Sequence, residues 1–149
     1  MGYATLQDLA DRLGPAAYLQ LTDDEATGEP NEARAQESLD AAEAEVNSRL
    51  ASRFAVPLDV ATEPQAAAML RAVALDLAEY RLHARRPPVP EAVEAKALQT
   101  RQWLRDVAEG RAQLPLSREA PANESGGTVA EVHGTERVFR RDDRTEDAS

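Results

Sequence analysis

The chain has 149 residues, enough for one domain and an appendage, since domains cluster near roughly 100 to 150 residues. Its 17 Lys and Arg face 27 Asp and Glu, and the resulting net charge of -10 opposes the close phosphate contacts of a nucleic-acid-binding protein. It has no Cys, which excludes disulfides and thiolate metal sites, and no run approaches the ~18 apolar residues of a membrane span.

The N-terminus, MGYATLQDLADR, lacks the basic and apolar regions of a secretion signal, so an unexported, soluble protein is expected. The first predicted element runs from Thr5 to Leu13, where Leu6, Leu9 and Leu13 fall at helical spacing. Thr5 and Asp8 stand in capping-box positions, and Gly14-Pro15 stops the helix. Pro15 suits the first turn of a second short helix carrying Tyr18, Leu19 and Leu21 and ending near Thr22. The acidic DDEATGEPN that follows reads as a solvated loop.

Asn31 is placed to cap a longer helix in which Ala35, Leu39, Ala42, Val46 and Leu50 make one stripe, extended by Phe54. This helix is expected to reach about Ser52, with Pro57 terminating it. Thr62 to Gln65 again has capping-box spacing and precedes the longest apolar periodicity: Leu70, Val73, Ala74, Leu77 and Tyr80. That central helix should end around Arg85-Arg86, because Pro87-Pro88 disfavours helical geometry just before it. Pro90 can open the last helix, with Val93, Ala97, Leu104, Val107 and Ala108 on its inner face and Gly110 as its stop. From Ser117 onward the composition turns polar and charged, with two apolar islands at Thr128 to Val132 and Arg137 to Arg140. The expected fold is therefore mostly α: a small antiparallel bundle of four to five helices over residues 1–116, then an extended C-terminal arm over 117–149 containing at most short β segments.

Chemistry is harder to find. Asp23-Asp24-Glu25, Glu43 with Glu45, and Asp142-Asp143 are carboxylate clusters, but they fall in polar loops or on the solvent side of helices. A catalytic carboxylate needs burial or a charged partner to shift its pKa, and nothing in the sequence encloses these, so a solvated acidic surface is the plainer reading. His83 and His133 have no ligand partner at metal-binding spacing, and no nucleophile motif or phosphate loop occurs. No enzyme, cofactor or metal is expected. Trp103 sits one residue off the stripe of the last helix and reads equally as an interface anchor or a core-edge residue. Arg85-Arg86 and Arg140-Arg141 are basic pairs that would ordinarily be solvated in so acidic a chain.

Four stretches in order, YATLQDLADRLG, EVNSRLASRFAVPL, ALDLAEYRLHARR and TRQWLRDVAEGRAQLPL, resemble the Mu-like phage family of small head-tail adaptor or connector proteins. They span nearly all of residues 1 to 116, and the RVF island with Arg140, Arg141 and Asp142 is similar to the family's C-terminal ending, while the final TEDAS is more acidic. The resemblance implies a virion protein of the neck that forms a ring, typically of twelve copies, beneath the portal and joins it to a tail or neck protein. DNA would pass through the ring without sequence-specific binding, and an acidic lumen would avoid arresting it. Partner contacts are expected from Trp103, Val129, Val132, Arg137, Val138, Phe139, Arg140 and Arg141. The alternatives are a tail-side completion or terminator ring, a small helical regulator that binds another protein, and a carboxylate-dependent nuclease.

Overall fold

Thr5 starts the first helix through a reciprocal cap: its hydroxyl accepts the Asp8 N–H at 3.1 Å, and the Asp8 carboxylate accepts the Thr5 N–H at 2.9 Å. The computed structural model describes residues 2–117, in which five helices follow in chain order: α1 (Leu6–Leu13), α2 (Pro15–Thr22), α3 (Glu32–Leu50), α4 (Pro64–Ala84) and α5 (Glu91–Ala108). Among the described residues there is no strand, and the expectation of a mostly helical bundle holds. None of these helices is long and apolar enough to cross a membrane.

The stripe foreseen on α3 is the face that packs, since Ala35, Leu39, Ala42, Val46, Leu50 and Phe54 are all buried. Helix α4 is covered on more than one side. Ala66, Leu70, Val73, Ala74, Leu75, Leu77, Ala78 and Leu82 are buried, a set too wide for one helical stripe, because α3, α5 and α1 all pack against it. Ala97, Leu104 and Val107 close the core from α5. Helices α3 and α4 run antiparallel: Arg34 near the start of one and Arg85 just past the end of the other both bond Asp24, while Arg81 reaches Glu45. Arg53, just past α3, donates to the Val107 carbonyl at 2.8 Å near the end of α5, so α3 and α5 point the same way.

Two boundaries differ from expectation. Helix α3 ends at Leu50, two residues early, although the Arg53 and Phe54 amides still donate to the Leu50 carbonyl and keep Phe54 on the buried face. Pro57 therefore lies beyond a helix that has already stopped. The Thr62 capping box is not made: α4 starts at Pro64 with Glu63 as its N-cap residue and no side-chain cap. Proline fits the first helical position because its missing N–H would have lacked an intrahelical acceptor there anyway. The freed Glu63 carboxylate instead accepts the Ser117 N–H at 3.0 Å, and so ties the last described residue to the start of α4. Asn31 does cap α3, accepting the Arg34 N–H at 3.2 Å.

Candidate functional site

A helix places residues four apart on one face, so α3 presents Glu45 and Arg49 together, toward the junction with α4 and α5. Arg81 of α4 and Arg101 of α5 converge on the same carboxylate. Arg101 donates through Nε to Oε1 at 2.7 Å and through Nη2 to Oε2 at 3.2 Å, a two-pronged grip. Arg81 Nη2 reaches Oε2 at 2.9 Å and Arg49 Nη2 reaches Oε1 at 3.1 Å. The Arg101 guanidinium also lies over the Tyr80 ring, 4.9 Å from its centre. The Glu45 side chain is only 13% exposed, and burial by itself would raise its pKa. The hydrogen bonds and charge of Arg101, with Arg49 and Arg81, outweigh that and hold it down at about 2. Reading Glu45 as a solvated surface residue is therefore wrong. The helical period places it correctly on α3, but two of its three arginine partners lie 36 and 56 residues away in sequence.

One carboxylate cannot neutralise three guanidinium groups. Arg81 donates to Glu45 only through Nη2, and its Nε is out of solvent without an acceptor. Such an orphaned donor costs on the order of 1–3 kcal/mol. Beside this cluster opens a groove of about 440 Å³ lined by Arg34, Arg81, Arg85 and Arg101, with Glu37, Ser38 and Tyr80 and the small side chains of Ala41 and Ala84.

At one end of the groove the acidic loop is exposed from Asp24 to Asn31, as expected, but Asp24 is anchored by arginines. Asp24 pairs with Arg85, with Arg86 at 3.0 Å and with Arg34 at 3.4 Å, and the hydrogen bonds from Arg86 and Arg85 lower its pKa. Arg86 also donates to the carbonyls of Gln20 and Asp23, and Arg85 to that of Leu21. Asp23 folds the loop on itself by accepting the Thr27 N–H at 2.9 Å and the Gly28 N–H at 2.8 Å, which lowers its pKa as well. The basic pair at the end of α4, expected to be solvated, is thus a clamp on the α2–α3 loop. Cationic side chains suit a helix C-terminus, and here they also satisfy the carbonyls that end α2.

Trp103 lies half-buried on α5, packed against the edge of the core. Val129, Val132, Arg137, Val138, Phe139, Arg140 and Arg141 lie outside the described residues, as does the Asp142-Asp143 pair. The last described stretch is held down, with Leu114 buried and Leu116 packed against the core. At the other terminus the Tyr3 hydroxyl donates to Asn47 Oδ1 at 2.6 Å and accepts the Leu58 N–H at 2.9 Å, while Glu43 accepts the Ala4 N–H at 3.1 Å. Burial raises the Tyr3 pKa. Among the described residues no group of three or more His, Asp or Glu is arranged to hold a metal ion, and the convergent charges described above are mutually paired arginines and carboxylates.

Comparison with known proteins places the chain among phage proteins. A family model described as Bacteriophage Mu, Gp36 matches residues 3–132, which takes in all five helices and the apolar island at Thr128 to Val132 but stops short of Arg137 to Arg141. Gene product J of Escherichia phage Mu is 29% identical over 142 residues, covering 95% of this chain and 96% of that protein.

Proposed function

Because the chain belongs to the bacteriophage Mu Gp36 family, we propose that it is a structural virion protein, a head-to-tail adaptor that forms a ring under the portal and links the filled capsid to the tail. The observation that carries this reading is the extent of the family match, which runs through the whole bundle and on into the polar segment beyond it. A family shared at that length, with the ordered stretches that resemble head-tail connectors, favours a common assembly role over a private surface activity. No catalysis is assigned.

The bundle is suited to repetition around an axis. Its buried set contains many Ala and few aromatic side chains, so each subunit removes modest apolar area from water, and burial against neighbours would add to its stability. The outer side of α5 carries exposed Ala92, Ala95 and Leu98, and Leu98 is 60% exposed. In a head-to-tail ring, of twelve copies by the family resemblance, such a flank meets a different face of the next copy. The net charge of -10 suits a channel that lets DNA slide without phosphate contacts. The segment from residue 117, with Val129, Val132, Arg137, Val138, Phe139, Arg140 and Arg141, would become ordered against the portal or a neighbouring subunit, a common mode for polar arms with short apolar islands.

The test is co-sedimentation of the purified chain with isolated portal rings and, separately, with tail tubes. Retention on portal is expected. Retention on tail tubes alone would replace the adaptor with a tail-side terminator, and absence of the protein from purified virions would overturn both.

A further inference from the structure

The groove between α3, α4 and α5 collects positive charge in a chain that is otherwise strongly negative. Arg34, Arg81, Arg85 and Arg101 line it, and Arg49 and Arg86 stand directly behind through shared carboxylates. These six guanidinium groups are met by three carboxylates, Asp24, Glu37 and Glu45, which leaves an excess of three positive charges in the cluster. The whole chain carries -10.

The arginines are also pre-positioned. Arg101 is fixed by its double bond to Glu45 and by the Tyr80 ring, and Arg85 by Asp24 and the Leu21 carbonyl. A donor array held in place by other contacts loses little freedom on binding. Glu45 already accepts from all three of its arginines, so it offers nothing further to Arg81, whose Nε lacks an acceptor. One more carboxylate in the groove would relieve the charge excess by pairing with the guanidinium groups that line it. The small Ala41 and Ala84 leave the volume for it, about 440 Å³, which accommodates one or two side chains.

We propose that this groove is a receptor for an acidic peptide segment of another protein chain, which inserts Asp or Glu side chains against Arg34, Arg81 and Arg101. Guanidinium forks match carboxylates in a two-pronged geometry. A nucleic-acid strand fits less well, because it carries a phosphate at every nucleotide past the groove and would meet the acidic loop at Glu25, Glu29 and Glu32 and the negative surface of the chain, whereas a peptide can confine its carboxylates to the groove. This assignment does not depend on where in the virion the protein sits.

The experiment titrates the full-length chain with a synthetic hexaglutamate peptide, and in parallel with single-stranded and duplex DNA oligonucleotides, at low and high salt. Amide spectra report the site. The peptide should shift the signals of Arg34, Ser38, Ala41, Tyr80 and Ala84, and binding should weaken with salt. Arg34→Glu should weaken it by about tenfold or more through like-charge opposition, and Ala41→Trp should do so by filling the space with every charge intact. Arg71→Gln and Arg111→Gln, away from the groove, should leave it unchanged. Circular dichroism separates a blocked groove from a misfolded variant. The proposal is overturned if DNA shifts these signals and the peptide does not, if the peptide binds equally well to the Arg34→Glu and Ala41→Trp proteins in their folded state, or if neither probe binds.

Discussion

Glu45 is a single anion holding three cations from three helices, so its removal should be felt far beyond one hydrogen bond. Glu45→Gln leaves Arg49, Arg81 and Arg101 facing one another, and breaking a partly buried charge cluster by deleting one partner costs about 3 kcal/mol. Urea unfolding should show that loss, whereas Glu37→Gln, an exposed partner of Arg34 on the same helix, should change stability by less than about 0.5 kcal/mol. The same group makes stability depend on pH with a definite sign. Its pKa falls from 4.5 to about 2 on folding, so the stabilisation is complete above pH 4.5 and disappears as the pH drops toward 2. After allowance for solvent around the partly exposed arginines, the contribution is about 2 kcal/mol. A urea series from pH 6 to pH 2 should show a decline that Glu45→Gln makes shallower; an unchanged slope would remove Glu45 from the account. Of these partnerships only Glu45 with Arg49, four residues apart on one helix, was legible in the sequence. Helical period fixes which residues share a face of α3, but which arginines meet Glu45 depends on how three helices slide against one another, and the same holds for Asp24 with Arg85 and Arg86. A hint did exist, since an arginine pair at a helix C-terminus and an acidic loop at the end of another helix are natural complements in an antiparallel packing.

At the scale of helices, most of the architecture could be read directly, because amphipathic stripes and terminal residues act locally. The α3 stripe from Ala35 to Phe54 is buried throughout, and the starts at Thr5 and Asn31 are made by the side chains expected. The Thr62 capping box failed because the motif competes with Pro64, whose fixed backbone angle suits the first helical position. The two cases separate in a stability measurement. Asn31→Ala should cost about 1 kcal/mol by leaving the Arg34 N–H uncapped, whereas Thr62→Ala should fall within about 0.5 kcal/mol of the parent. Equal effects would mean that Thr62 caps α4 after all. Helix α4 exceeded its stripe: Leu75 and Leu82 are buried as well, because a helix in the middle of a bundle is covered on several sides and period alone reports one. Leu70, fully buried between these neighbours, should lose about 2 to 5 kcal/mol as Leu70→Ala, read from the shift in urea midpoint at constant slope.

For the whole molecule, what could be read from sequence was the family and the helical bundle, but not the partner. Nothing in helical periodicity states what an outer face touches, and Trp103, open to two readings at the outset, lies half-buried at the edge of the core, where it can serve the subunit and still present an edge to a neighbour. The adaptor account gives the bundle and the segment after it separate duties. A chain truncated after Leu116 keeps the packed residues of the bundle, including Leu114 and Leu116, so it should retain the helical signal and cooperative melting of the full protein while losing portal binding. Full portal binding by the truncated chain would assign docking to the helices instead. The central claim, a ring at the junction of head and tail, is tested most directly by a symmetric reconstruction of the virion neck. The account predicts repeated copies of this five-helix bundle in a closed ring against the portal, with the segment after residue 117 reaching into a neighbour; a neck without this bundle, or with it only on the tail side, would contradict it.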